Sequence, residues 1–464
     1  MIMRDNAVII MAAGKGKRMK SHLPKVLHSL AGKPILNYVV DIVNQLEIKR
    51  KILIVGHKSD KIRELIGEKI EYVEQKEQLG TAHAVLQTQK LLSGFKGDVL
   101  ILSGDVPFVT VKTLNKLLRY HQANNFCCTL VSTVLKNPEG YGRIIRGKKG
   151  EIKEIIEEVD LPTDKKELTE INGGIYCFNK EKLFQVLEKV TANNKQREYY
   201  LTDTVKILLG EGLTVGNITV KDCSEILGIN NRLDLTDASQ KVYQKVLQDL
   251  MLQGVTIVDP KSTFIEEGVK IAQDTIIYPF TIIEKGTKIG SNCFIGPYSH
   301  LINAKIGKGV RVWASIIESS TVKDGANIGP YAHLRPETVV EKGAKIGNFV
   351  ELKKTVIGEG SKASHLTYLG DATIGKKANI GAGTITCNYD GEKKYKTVIG
   401  DGAFIGSNNS LVAPVKLEKN SYTGAGSTIT KDVPAGNLAI ARSRQTNISG
   451  WLKKKKEGKS KNSI

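Results

Sequence analysis

At 464 residues the chain is too long for one compact core, and ordinary domain sizes imply two to four. Its composition is globular, 41% hydrophobic and 25% charged, and no stretch nears the ~20 apolar residues of a membrane span. Sixty-eight Lys and Arg against 48 Asp and Glu leave a net charge of +20, so its partners are anions. Zinc-finger and RNA-recognition signatures are absent, and the densest basic run is the tail 453–456, which reads as a solvated, mobile terminus. Nucleotides, sugar phosphates and coenzyme A suit the charge better than nucleic acid. The cysteines, Cys127, Cys128, Cys177, Cys223, Cys293 and Cys387, form no C-x-x-C pair and read as thiols of a reducing cytoplasm.

Residues 7–11 form an apolar run. Basic residues follow at once, so it reads as a buried first strand and not as part of a signal peptide. It breaks into Ala12-Ala13-Gly14-Lys15-Gly16-Lys17-Arg18-Met19. Small residues and glycines after a strand let backbone N–H groups close around phosphate, and Lys and Arg add charge. The Walker spacing is absent, and a dinucleotide fingerprint needs a third glycine where Met19 stands. By itself the loop is equally a plain turn. Further strands are predicted over 51–55, ending at Gly56-His57, and over 99–102, ending at Gly104-Asp105-Val106-Pro107. With a helix over 111–121 they indicate a doubly wound α/β sheet. Such sheets bind ligands outside the carboxyl ends of their strands, which sets Gly14 and Asp105 on one edge. Asp beside Gly and Pro is often a turn carboxylate; facing a phosphate loop, it reads better as a magnesium ligand.

Asn231 can cap a helix, with Asp234 in its first turn. Leu235, Ala238, Val242, Val246 and Leu250 repeat at helical spacing, and Gly254 closes the segment. This predicts a linker helix over 231–254 between a domain of residues 1–230 and another of 255–464, its apolar stripe serving packing.

From Ile277 to Ile429 an aliphatic residue returns about every sixth position, often with glycine next, as at Ile289-Gly290, Ile295-Gly296, Ile346-Gly347 and Ile380-Gly381. Leu301, Leu334, Val340, Leu352, Leu411 and Leu417 keep the beat without glycine. Neither a 3.6 period nor a period of two explains it. A hexapeptide period marks a parallel β-helix, with glycine at corners where a side chain or a negative φ is awkward. Against this beat, Arg335 and Lys353 sit three beats apart, which stacks them on one face of a three-sided prism. Residues 361–371 add His365 and Tyr368, and from 386 to 397 a polar loop holding Asn388, Tyr389 and Lys394 interrupts the repeat and is long enough to reach a neighbouring chain. His300 and His333 read as structural. His365, close to Tyr368 and within a coil of Lys353, reads as part of a site.

Ala12-Ala13-Gly14-x-Gly16-x-Arg18-Met19 followed by Pro24-Lys25 resembles the signature of sugar-nucleotide pyrophosphorylases. Gln75, Gln78-Leu79-Gly80-Thr81, Gly140-Tyr141-Gly142-Arg143, Glu170-Ile171-Asn172-Gly173-Gly174 and Gly228-Ile229-Asn230-Asn231-Arg232 extend the series. Joined to a β-helix, it resembles the bifunctional N-acetylglucosamine-1-phosphate uridyltransferase/glucosamine-1-phosphate acetyltransferase family over nearly the whole chain. The resemblance implies a Rossmann-like nucleotidyltransferase domain followed by a β-helix that is left-handed in the family. It implies acetylation of glucosamine 1-phosphate by acetyl-coenzyme A, then uridylyl transfer from UTP, giving UDP-N-acetylglucosamine for cell-wall precursors. It further implies Mg²⁺, a homotrimer and a cytoplasmic location.

Residue by residue, the resemblance sets Gly14, Arg18 and Lys25 on the UTP phosphates, with Arg18 and Lys25 catalytic, Ala12 and Ala13 among the nucleotide-binding residues, and Gln75, Gly80 and Thr81 on uracil. Gly140, Glu157 and Asn172 hold the amino sugar, Asn230 is a further sugar-phosphate contact, and Asp105 and Asn230 bind magnesium. In the second half Arg335, Lys353, Tyr368 and Asn379 hold glucosamine 1-phosphate, and His365 takes the proton from the attacking amine. Ala382, Asn388, Tyr389, Ser407, Ala425 and Arg442 line the acetyl-coenzyme A groove. Three positions depart from the family pattern: Lys17 and Gly173 stand where threonine is usual or frequent, and Ser364 where glycine precedes the histidine. Two other readings stand beside this one. In the first, the β-helix of a pyrophosphorylase only assembles subunits or senses effectors; the Arg335–Lys353–His365–Tyr368 set argues against it. In the second, a binding scaffold, Lys25, Asp105 and His365 have no joint explanation.

Overall fold

The computed structural model describes residues 5–56 and 58–460; His57, placed by the sequence at the end of the second strand, lies outside them. Two compact units divide the chain between Lys241 and Val242. In the first, nine strands form one sheet: β1 (Asn6–Met11), β2 (Arg50–Val55), β3 (Glu71–Glu74), β4 (Asp98–Ser103), β5 (Cys128–Val134), β6 (Arg143–Arg146), β7 (Ile152–Ile156), β8 (Glu170–Asn179) and β9 (Val215–Thr219). Their order is β9-β5-β8-β4-β1-β2-β3, with the β6–β7 hairpin attached to β8. β3, β2, β1 and β4 run parallel, as do β5 and β9. β8 runs antiparallel to β4 and β5. It follows the hairpin with no crossover helix to reverse the chain, which a parallel strand would need.

The sheet is covered on both faces, the reason its strands read as continuous apolar runs. Val8, Ile10, Leu100 and Leu102 pack on one side with α1 (Ile35–Asn44), α2 (Ser59–Ile66) and α4 (Val111–Ala123). Ala7, Ile9, Val99 and Ile101 pack on the other with α3 (Thr81–Leu86), α5 (Lys180–Leu187) and α6 (Asp203–Gly210). This is the doubly wound arrangement, with one antiparallel strand set into it.

The linker helix is α7 (Arg232–Leu252). Asn231 Oδ1 accepts from the backbone N–H groups of Leu233 and Asp234, while Asp234 Oδ2 accepts from those of Asn230 and Asn231, a reciprocal cap. Leu235, Ala238, Leu247 and Leu250 are buried.

In the second unit the beat becomes a three-sided parallel β-helix. Ile271, Ile289, Ile306, Val322, Val340, Ile357, Ile374, Ile399 and Leu417 stack in register on one side. Ile265, Ile283, Leu301, Ile317, Leu334, Leu352 and Leu369 stack on another, and all of these residues share one core. The repeat glycines serve mainly close approach. At Gly347 a β-carbon would stand 1.8 Å from the Ser364 carbonyl oxygen of the next coil, whereas Gly296 takes a positive φ of 97°. Glycine takes left-handed turns, as expected, at Gly309, Gly325, Gly343 and Gly402, and other left-handed corners are filled by Phe280, Tyr298, Ala314, Tyr331, Phe349 and Leu366. At those, backbone hydrogen bonds from coil to coil, such as Tyr331 N–H to the Ala314 carbonyl (2.7 Å), hold side chains in that conformation. The tail is exposed, as expected, but it is wound into α8 (Trp451–Ser460). Among the described residues no helix is long and apolar enough to cross a membrane.

Two candidate active sites

β1 and β4 are parallel neighbours with Met11 opposite Ser103, so the segments leaving them emerge side by side. Together with 75–81 they surround a cleft of 490 Å³ lined by Ala12, Ala13, Gly14, Lys17, Lys25, Gln75, Gly80, Thr81 and Asp105, with Gln196 and Glu198 on its wall. Gly14 leaves open space where a side chain would stand. A side chain on Gly16, at φ 60°, would meet the Lys25 β-carbon at 2.6 Å; glycine there lets the two segments meet.

Asp105 is paired with the Lys25 ammonium. Burial disfavours the Asp105 carboxylate, but the charge and hydrogen bond of Lys25, helped by Ser103, outweigh it and hold the carboxyl below its usual range. Ile229 N–H donates to the Asp105 carbonyl (3.0 Å), which brings Asn230 alongside; Asn230 Oδ1 accepts from Arg18 Nη2 at 2.9 Å. Gln75, 3% exposed, donates through Nε2 to the Gly80 carbonyl (3.1 Å), and Thr81 Oγ1 accepts from Leu201 N–H (2.8 Å).

The three sugar candidates also meet. Asn172 N–H donates to the Gly142 carbonyl (2.9 Å), and its Nδ2 donates to the Tyr176 hydroxyl (2.6 Å). Glu157 Oε2 lies 3.3 Å from where a Gly142 β-carbon would stand, and Thr202 Oγ1 donates to Oε1 at 3.0 Å. Burial pushes the Glu157 carboxyl up, with Asp203, Asp160 and Glu198 acting the same way against the Thr202 hydroxyl. Gly140, at φ 84°, makes the turn that precedes this group.

In the β-helix, Arg335 N–H donates to the Leu352 carbonyl (2.8 Å), which sets Arg335 and Lys353 at equivalent places on adjacent coils. Arg335 Nη1 donates to Glu351 Oε1 at 2.9 Å, and Glu351 is in register with Tyr368. Lys394 of the interrupting loop stands against Lys353; that contact, the Lys394 charge and Arg335 together push the Lys353 ammonium down. The loop is anchored by Asn388 Nδ2 donating to Asp371 Oδ2 (2.5 Å) and Tyr395 N–H donating to the Asn388 carbonyl (2.9 Å).

His365 is in register with Asn348, and its Nδ1 lies 2.6 Å from Asn348 Oδ1. An amide oxygen only accepts, so the proton sits on Nδ1 and the Nε2 lone pair is left over. The registers Lys362 to Asn379, Ile380 to Ile405 and Phe404 to Tyr422, continued two or three residues along, bring Ala382, Ser407 and Ala425 into the His365 column. Arg442 Cδ lies 4.0 Å from the place of a Gly426 side chain, at the end of that column. His300 and His333 pair instead with Glu284 (2.7 Å) and Glu318 (3.3 Å).

The nucleotidyl transferase family matches residues 7–224, and the six-repeat bacterial transferase hexapeptide family matches 268–303 and 396–431. Bifunctional protein GlmU of Acetivibrio thermocellus is 48% identical over 447 residues, 96% of this chain and 97% of that protein. The protein of the same name from Shouchella clausii is 45% identical, covering 97% of this chain and 100% of its own, and one from Clostridium botulinum is 46% identical, covering 97% and 98%. The chain belongs to the bifunctional GlmU family. It is an enzyme that acetylates glucosamine 1-phosphate and transfers uridylyl to N-acetylglucosamine 1-phosphate.

Against the GlmU pattern, one departure has a local explanation. A side chain on Gly173 would stand 2.9 Å from Ile226 Cδ1 and 3.0 Å from the Val131 carbonyl, so Ile226 fills that place. Lys17 lines the cleft. Nothing in the structure explains Ser364. Asn348, Glu351 and Thr202 are site neighbours that the sequence does not mark. Asn348 alone had a usable signal: it precedes His365 by 17 residues, one coil of the repeat.

Proposed function

We propose that the cleft of the first unit carries uridylyl transfer and that the His365 column carries acetyl transfer. The observation behind this reading is convergence: residues from Ala12 to Asp105 line one cleft, Asn230 comes alongside Asp105 and bonds to Arg18, Glu157 and Asn172 meet at Gly142, and those from Arg335 to Arg442 gather along a few coils. Gly14, Arg18 and Lys25 hold the UTP phosphates, and Gln75, Gly80 and Thr81 read uracil. Glu157 and Asn172 hold the sugar beside Gly140. A sugar-phosphate oxygen attacks the α-phosphorus and pyrophosphate leaves, so the protein's task is alignment and neutralisation of charge. No side chain forms a bond to phosphorus.

Asp105 and Asn230 form an all-oxygen pair at the edge of this cleft, the donor set a hard cation takes when waters and substrate phosphates complete its shell. Magnesium bound here would offset charge on the phosphates.

In the second site Arg335 and Lys353 bind the phosphate of glucosamine 1-phosphate, with Tyr368 and Asn379 on the sugar. His365 Nε2 accepts a proton from the amine as its nitrogen attacks the thioester carbonyl; the C–S bond breaks, and the leaving sulfur takes that proton so that coenzyme A departs as the thiol. Ala382, Asn388, Tyr389, Ser407, Ala425 and Arg442 line the coenzyme A groove.

The sequence division into residues 1–230, a linker of 231–254 and residues 255–464 belongs to this proposal. A fragment ending near Leu250 turns over UTP with N-acetylglucosamine 1-phosphate and ignores acetyl-coenzyme A. Acetyl transfer by that fragment would refute the assignment.

The active form is a trimer. Stacked aromatic pairs at exposed corners, Phe280 with Tyr298 at 5.0 Å and Tyr331 with Phe349 at 5.5 Å, support it as apolar surface left in solvent by one chain. Sedimentation equilibrium at the mass of a single chain would rule it out. The unpaired cysteines suit a cytoplasmic enzyme, which cell fractionation checks.

A further inference from the structure

Each oxygen proposed for the metal is held by a cation from the phosphate segment. Lys25 sits on the Asp105 carboxylate, and Arg18 Nη2 donates to Asn230 Oδ1 at 2.9 Å. These are the same two cations that would grip the triphosphate. Where they stand they oppose the metal, because an ammonium on the carboxylate occupies the place a divalent ion would approach and repels it. The Lys25 and Asp105 side chains are only 17% and 13% exposed, so water screens that repulsion little.

We propose that Arg18 and Lys25 form an exchange latch. In the nucleotide-free enzyme they fill the metal ligands; the triphosphate draws them onto its own oxygens and releases Asp105 and Asn230 to the metal. The inference rests on the metal reading of those two residues. The exchange conserves pairing: each cation leaves one oxygen for another, and the carboxylate passes from an ammonium to a divalent ion, so no buried charge is left alone. Metal and nucleotide then strengthen one another, and by linkage the factor is the same whichever binds first. UTP also chelates metal by itself, so the distinguishing quantity is the metal affinity of the enzyme without nucleotide.

The test is Mn²⁺ binding to the full chain, followed by the loss of the electron paramagnetic resonance signal of free Mn²⁺. Wild type binds Mn²⁺ weakly without nucleotide. Lys25→Met binds it roughly tenfold more tightly, within the usual range of coupling between sites. Arg18→Met moves the same way by less, and serves alone should Lys25→Met fail to fold. Acetyl transfer by the same samples and their circular dichroism report on folding. Nucleotide-free affinity unchanged in both variants overturns the latch. Asp105→Asn, measured without UTP at Mn²⁺ concentrations high enough to load the wild type, separates the two readings: if it abolishes Mn²⁺ binding, the metal site stands whatever becomes of the latch. If it leaves that binding intact, the metal reading falls and the latch with it.

Discussion

Replacing His365 by alanine lowers acetyl transfer by roughly 10²–10⁴-fold, the usual worth of a positioned general base, and leaves uridylyl transfer unchanged. The chemistry needs a base because the amine nitrogen must shed a proton as the amide forms. Of the groups gathered here, the imidazole offers a nitrogen lone pair to the amine, Tyr368 offers a hydroxyl, and Lys353 is the group proposed for the phosphate. The structure adds direction. Asn348 Oδ1 accepts from Nδ1–H at 2.6 Å, which fixes the tautomer and leaves Nε2 to receive the proton. His365 is exposed, so the substitution removes little packing. The measurement is acetyl-coenzyme A turnover across pH, with uridylyl transfer by the same sample as the folding control. Acetylation near the wild-type rate at every pH removes His365 from the mechanism.

Asp105→Asn lowers uridylyl transfer by about 10²–10³-fold, the scale of one preorganised electrostatic contact, and spares acetylation. The amide keeps the shape of the carboxylate but not its charge, so it weakens the magnesium site and leaves the shielded Lys25 ammonium without its counter-charge. A stability effect accompanies the kinetic one, and its sign follows from the lowered Asp105 carboxyl. A carboxyl held below its unfolded range stabilises the fold above that range. The contribution fades as pH falls through the folded-state value. The variant lacks that stability at neutral pH, and its acid unfolding loses the corresponding dependence. Pyrophosphate release at the wild-type rate in saturating magnesium would sink the metal assignment.

The two changes act on separate sets of residues, and each activity reports on the folding of the other's variant. A loss of both activities in either variant points to misfolding of the whole chain and not to chemistry.

The sequence alone determined the elements whose cause is local. A hexapeptide beat is written into the chain because each side of each coil must send one apolar residue, such as Ile346 or Leu352, into the same narrow core. Asn231 and Asp234 announce the start of α7 because a cap is made within four residues. The apolar strands ending at Met11 and Ser103 pointed to a shared edge because parallel strands of a covered sheet end together. What only the tertiary structure decided lies in pairs that no local rule joins. Arg18 meets Asn230 across 212 positions, and Thr202 meets Glu157 across 45, because the strand order brings distant loops together. Glycine at Gly347 is set by a carbonyl of the next coil, and the left-handed corner at Phe349 by its N–H donating to the Tyr331 carbonyl of the previous one. The direction of β8 likewise depends on the absence of a crossover helix before it. Local spacing records which residues must be apolar or capped; which distant oxygen meets which cation follows only once the coils and strands are stacked.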